Sequence, residues 1–106
     1  MIIMTLRLTV PPKRAKDLVG IVKSMTGPMS VEPACKHFNL FRNLDNNDEL
    51  MILVEWTSQE ALERHIRSND FMKILQIMEL SSHVPEICFD KVAERFGFDF
   101  VESLRS

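Results

Sequence analysis

Few side chains in this chain can move a proton near neutral pH, and His65 is the foremost, because an unperturbed histidine titrates close to pH 7. Around it stand residues able to hold a ligand. Trp56 offers an indole N–H and a large apolar ring. Asn39 places an amide in the middle of a strand-like stretch, with His37 two residues before it and Phe41 two residues after it. Arg42 and Arg7 can bind an anion, and Phe71 can wall a pocket. Each has a plainer reading. A helix histidine can bond a neighbouring carbonyl, a Trp before a helix can be a hydrophobic staple, and strand arginines are commonly solvated. The chain has no tyrosine, so no phenol of its own can carry the proton. Cys35 and Cys88 lie far apart with no partner base, and they read as reduced thiols rather than nucleophiles. There is no Gly-rich phosphate loop and no Ser/His/Asp set, and the cysteines have no metal-ligand spacing.

These residues need elements to position them, and the stretch from Leu50 to Met78 supplies the central unit. Leu50 to Val54 is an apolar run with the length of a buried strand. Thr57 and Glu60 have capping-box spacing, which predicts a helix carrying Ala61, Leu62, His65 and Ile66 on one face. Ser68, Asn69 and Asp70 read as a break whose side-chain oxygens start a second helical piece. There Phe71, Ile74, Leu75 and Met78 recur at helical spacing.

The rest of the chain fits around that unit. Ile2, Met4, Leu6, Leu8 and Val10 alternate with more polar neighbours, a period-two strand ended by Pro11-Pro12. Ala15, Leu18, Val19, Val22 and Met25 predict an amphipathic helix from Lys13 to about Met25, closed by Gly27-Pro28. Ala34 to Arg42 reads as a strand with Cys35, His37, Asn39 and Phe41 on one side. The Asn/Asp-rich segment from Asn43 to Asp48 is a turn, so the strand from Leu50 returns as a hairpin. Pro85 to Val92 is a fourth strand, with Ile87 and Phe89 on one side. A short helix from about Phe98 to Arg105 follows, hinged at Gly97.

The order strand, helix, strand, strand, helix, strand predicts an α+β, ferredoxin-like βαββαβ fold with an antiparallel four-stranded sheet and both helices on one face. The central hairpin is partly apolar on both faces. The face away from the helices is expected to be covered by a second copy, giving a homodimer of two sheets packed face to face. The 106 residues are expected to form one domain, 1–106, with 93–106 as an extension packing on the sheet or on the dimer partner.

Composition narrows the function classes. Hydrophobic residues are 45% and charged residues 26%, a globular balance rather than a disordered one. The net charge of −2 and the small basic cluster Lys13-Arg14-Lys16 argue against nucleic acid. No run approaches the roughly 18 apolar residues of a membrane span, and the cysteine usage suits a cytoplasmic location.

Short motifs along the chain resemble the antibiotic biosynthesis monooxygenase family of dimeric α+β barrel proteins. They are Val54-Glu55-Trp56-Thr57-Ser58, Glu60-Ala61-Leu62, His65, Ser68 and Phe71. Glu32-Pro33-Ala34-Cys35 resembles the family's Glu-Pro-Gly-Cys entry to the second strand, with Ala34 in place of Gly, and Asn39-Leu40-Phe41-Arg42 resembles that strand's end. Gly97-Phe98-Asp99-Phe100-Val101-Glu102, with Arg105, resembles a C-terminal extension of some members.

The resemblance implies a dimer with one pocket per subunit, between sheet and helices. It also implies oxidation of a quinol-like or polycyclic phenolic small molecule by O₂ without metal, flavin or haem. A base takes a proton, the anion passes an electron to O₂, and the radical pair recombines. On that reading His65 is the base, with Trp56, Asn39, Phe71, His37, Phe41 and Arg42 around the substrate. Haem degradation in the same superfamily uses a first-strand Asn and a His one turn past Phe71. Here the first strand has Thr5 and Arg7, and the helix position is Leu75. Two other classes remain open: a dimeric binding module without catalysis, and an isomerase of a small oxygenated metabolite.

Overall fold

The computed structural model describes all 106 residues. Its elements are β1 (Ile2–Thr9), α1 (Pro12–Ser30), β2 (Cys35–Arg42), β3 (Glu49–Trp56), α2 (Gln59–Arg67), α3 (Phe71–Glu79), β4 (Glu86–Lys91) and α4 (Phe98–Arg105). The strands form one antiparallel sheet in the order β2-β3-β1-β4, the ferredoxin-like α+β arrangement that the element order predicts.

Alternation sorts the sheet into two faces. Ile2, Met4, Leu6 and Leu8 of β1 and Leu50, Ile52, Val54 and Trp56 of β3 are buried against the helices. They meet Leu18, Val22, Met25 and Met29 of α1, Ala61 and Leu62 of α2, and Phe71, Ile74 and Ile77 of α3 in one continuous core. The opposite face carries no helix. It presents Ile3, Thr5 and Arg7 of β1 and Met51, Leu53 and Glu55 of β3. Beside them lie His37, Asn39 and Phe41 of β2 and Cys88 of β4.

Several local expectations are corrected. Helix α1 does not close at Gly27-Pro28 but runs through both to Ser30. Met29 lies one turn beyond Met25 and is buried like it, and that tertiary contact overrides the breaker signal. Helix α2 is capped by Ser58, whose Oγ accepts the Ala61 N–H at 3.3 Å, not by a Thr57–Glu60 box. Thr57 instead donates its backbone N–H to the Ala34 carbonyl at 2.9 Å, tying β3 to the entry of β2. Asp70 makes no side-chain cap on α3. Ser68 closes α2 by donating its hydroxyl to the His65 carbonyl at 2.6 Å. On α3 it is Ile77, not Leu75, that joins the core.

The strand β2 contains a bulge. Cys35 pairs with Trp56 and His37 with Glu55, so Lys36 is the extra residue. The expected grouping of Cys35 with His37 and Asn39 is therefore wrong. Cys35 shares the helix-facing side with Phe38 and Leu40, and packs against the core with them. Between β2 and β3, Asn43 Oδ1 accepts the Asp45 N–H at 2.8 Å and Asn46 Oδ1 accepts the Asp48 N–H at 3.1 Å. These local bonds are what the Asn/Asp composition predicts.

Candidate functional site

The strand–cap–helix unit brings Trp56 and His65 together. Trp56 is the last residue of β3, and after Thr57 and the cap residue Ser58 helix α2 starts at Gln59. The His65 ring lies 5.0 Å from the Trp56 ring, tilted by 34°. Phe71, the first residue of α3, meets His65 in an edge-to-face arrangement at 5.7 Å. The histidine thus contacts two aromatic rings, one from the sheet and one from the second helical piece.

The electrostatics of this cluster come from burial. Desolvation pushes the His65 imidazole below its ordinary pKa, while the carboxylates of Asp70 and Glu32 act weakly the other way. Burial disfavours the imidazolium, so the ring is neutral at pH 7 and able to accept a proton. Beside it, Trp56 is 1% exposed, and its indole N–H is buried without any acceptor. Most buried donors in native structures are paired, so an orphan calls for an explanation. This one is a donor with free capacity next to a neutral base.

The sheet separates the other residues singled out in the sequence from this cluster. His37, Asn39 and Phe41 lie on the helix-free face. His37 Nε2 is 3.1 Å from Glu55 Oε2, and the other oxygen of Glu55 accepts Arg95 Nη2 at 3.0 Å. Arg42 pairs with Leu50 at the end of the hairpin opposite Trp56. With Arg7, Phe41 and Met51 it lines an open cleft of about 220 Å³. His37 and Asn39 border a second cleft, of about 300 Å³, between the end of α1 and the edge strand β2. Neither of these clefts includes His65 or Trp56. No group of three or more His, Cys, Asp or Glu side chains is placed to hold a metal ion.

Two acidic residues acquire roles that sequence reasoning did not give them. Glu32 accepts the Ala34 N–H at 3.1 Å, and its charge is felt at both His65 and Cys35. Glu55 joins β2, β3 and the C-terminal segment through its two oxygens. A signal for Glu55 was present: it is the first charged residue after the apolar run of β3, and the hairpin sets it opposite His37. Its second partner, Arg95, is 40 residues away and leaves no local pattern.

Comparison with known proteins agrees with this geometry at the level of fold and family. The antibiotic biosynthesis monooxygenase family model matches residues 1–76. A conserved protein from Methanosarcina mazei Go1 superposes with a TM-score of 0.77 at 25% identity, covering 85% of this chain and 90% of that one. A Mycobacterium tuberculosis protein superposes with a TM-score of 0.77 at 20% identity, over 91% of this chain and 98% of that one. A variant of SnoaB, a cofactor-independent oxygenase from Streptomyces nogalater, does so with a TM-score of 0.73 at 17% identity, over 89% and 94%. The chain matches no curated protein. No helix is long and apolar enough to cross a membrane. The family model takes in β1 through most of α3, including Trp56, His65 and Phe71, and the chain belongs to the antibiotic biosynthesis monooxygenase family.

Proposed function

We propose that the protein is a cofactor-free monooxygenase of an electron-rich aromatic small molecule, quinol-like or polycyclic phenolic, with His65 as general base. The observation that carries this reading is the pairing of a neutral, partly desolvated imidazole with an unsatisfied indole N–H, 5.0 Å apart between ring centres. A phenol losing its proton needs both groups: an acceptor for the proton and a donor for the oxyanion it leaves. Phe71 adds an apolar ring beside His65.

The electrons balance without a separate reductant. A quinol reacts with O₂ to give a hydroxyquinone and water. One oxygen atom forms a bond to a ring carbon, and the other is reduced to water by electrons from the substrate. His65 takes the first proton, the substrate anion passes an electron to O₂, and recombination forms the carbon–oxygen bond. The protein's share is to bind the ring out of water, accept the proton and steady the anion.

The same reading places a second copy of the chain on the helix-free face. Ile3, Met51, Leu53 and the half-exposed Phe41 form its apolar part, with Asn39 and His37 beside them. A homodimer through this face buries that surface and leaves one His65–Trp56 cluster per subunit on the far side of each sheet. The family membership supports oxidation of a small molecule, and the cofactor-independent oxygenase among the structural neighbours supports doing so without a prosthetic group.

The test is O₂ uptake by metal-free protein with a panel of reduced quinones and polycyclic phenols, each compared with its own autoxidation. A protein-dependent rate that falls in His65→Ala supports the reading. A protein that binds such molecules and consumes no O₂ is a binding module, and anaerobic turnover of a ketose-like metabolite marks an isomerase.

A further inference from the structure

The His65–Trp56 cluster is closed. Trp56 is 1% exposed and Phe71 9%, and the indole N–H has no partner. Neither the cleft at Arg7 and Arg42 nor the one at the β2 edge includes His65 or Trp56. An aromatic molecule that is to meet both groups needs an opening, and one element beside them is built to give way.

That element is the last turn of α1. Gly27 and Pro28 lie inside the helix, and they are the two residue types least favourable there. Pro28 has no N–H for the Ser24 carbonyl one turn back. The hydroxyls of Ser24, Thr26 and Ser30 bond helix carbonyls at 2.6, 3.1 and 2.6 Å, a habit that bends helices and weakens them slightly. Beyond the proline only Met29 is buried, while Ser30 and Val31 are exposed. The next fixed point is Ala34, whose N–H bonds Glu32 at 3.1 Å and whose carbonyl accepts the Thr57 N–H at 2.9 Å. Residues 27–33 thus form a short flap, hinged at Gly27-Pro28 and pinned at Ala34. The α2–α3 link, the other segment at the cluster, is bonded throughout. The Ser68 N–H and hydroxyl both bond the His65 carbonyl, at 3.0 and 2.6 Å, and the Phe71 N–H bonds the Ser68 carbonyl at 3.3 Å.

Met29 is the plug carried by this flap. On one side it lines the cleft of about 300 Å³ with Cys35 and Phe38, and Cys35 pairs with Trp56 across the sheet. On the other side it lines a narrow hollow with Asp70 and Lys73, and Asp70 directly precedes Phe71. Met29 therefore stands between the open cleft and the aromatic cluster. We infer that the last turn of α1 is a gate: it unwinds at Gly27-Pro28, withdraws Met29, and joins the cleft at the β2 edge to His65 and Trp56. The inference rests on the reading of that cluster as the substrate site. A methionine suits the task, because its unbranched side chain fills a gap and repacks easily. The cleft is then the entry for a flat aromatic molecule, with the exposed side chains of Thr26, Ser30 and Lys36 along it.

Trp56 is the only tryptophan, so its indole N–H gives a single NMR signal, and exchange of that proton with D₂O reports access to the site without any ligand. The experiment compares the purified full-length protein with the double change Gly27→Ala and Pro28→Ala, which makes the hinge continuous helix. A Cβ at Gly27 meets nothing within 4 Å. In the parent, the indole proton is expected to exchange faster than the central amides of β1 and β3. In the variant it is expected to exchange at least about tenfold more slowly. Equal indole exchange in the two proteins overturns the gate. So does a parent indole that exchanges no faster than the core amides, because that proton then escapes only by global unfolding. A second measurement follows association of reduced naphthoquinone under argon by Trp56 fluorescence in a stopped flow. A ligand that enters only the open state associates at a rate scaled by the open fraction, so the variant is expected to associate more slowly by a similar factor. Equal association rates overturn the gate as the entry. No binding to either protein, with the indole result as expected, upholds the gate and counts against the aromatic-substrate reading.

Discussion

Trp56→Phe separates stability from function at the candidate site. In the resting protein the Trp56 N–H is buried and unpaired, a state that costs about 1–3 kcal/mol. Phenylalanine removes that donor. It also leaves a void of roughly 40 Å³ in the core, worth about 1 kcal/mol, with about another 1 kcal/mol of lost apolar burial. The opposing terms nearly cancel, so Trp56→Phe is expected to unfold in urea within about 1–2 kcal/mol of the parent. Trp56→Ala, by contrast, is expected to lose about 3–5 kcal/mol. Turnover behaves differently. Losing one preorganised donor to a developing anion typically lowers kcat by about a hundredfold or more. Urea unfolding and an oxygen electrode on the same preparation read both quantities. Wild-type turnover in Trp56→Phe would refute the indole N–H as the anion's donor. A stability loss of about 4 kcal/mol would refute the claim that an orphaned donor sits there.

Burial of His65 makes its acid limb fall below the ordinary histidine value of about 6.5. Activity limited by the free base should persist below pH 6.5 and drop only at lower pH, and a limb above 6.5 in a kcat/KM profile, which reports the free enzyme, contradicts the account. The sign for stability follows: the folded-state pKa is depressed, so the contribution is complete above the unfolded value and is lost as pH falls through the folded one. Ser58→Ala removes the α2 cap and should cost about 1 kcal/mol, a drop of roughly 4–8 °C in Tm at fixed protein concentration. An unchanged Tm would show that the cap contributes nothing. Glu55→Gln weakens the ties to both His37 and Arg95, and amide exchange over residues 92–96 should speed up while the core strands keep their protection. Equal exchange in the two proteins would show that this carboxylate does not hold the segment after β4.

The sheet was legible because β1 alternates strictly and β3 opens on a short apolar run of strand length, Leu50 to Val54, between an Asn/Asp-rich turn and a helix cap. Trp56 and His65 could be placed together because only Thr57 and the cap residue Ser58 separate the end of β3 from α2. The misreadings share one cause, tertiary contact outweighing local signal. Gly27-Pro28 looks like a helix end, yet burial of Met29 carries α1 through it. The bulge at Lys36 is set by how β2 meets β3, and a run of alternating residues does not display it. Because of the bulge, Cys35 and His37 lie on opposite faces. Strand alternation divides the plausible ligand residues into two groups: His65, Trp56 and Phe71 behind the sheet, and His37, Asn39 and Phe41 in front of it. The orphaned indole N–H and the span from Glu55 to Arg95 belong to three-dimensional structure alone.

The most direct test of the central claim follows the oxygen atoms. Metal-free protein is supplied with ¹⁸O₂ and a reduced quinone that it turns over, and the product is read by mass spectrometry alongside the His65→Ala protein. The account predicts one labelled oxygen atom in each product molecule, with the labelled product nearly lost in the variant. Unlabelled product, or equal labelling with and without the imidazole, would contradict a monooxygenase that uses His65 as its base.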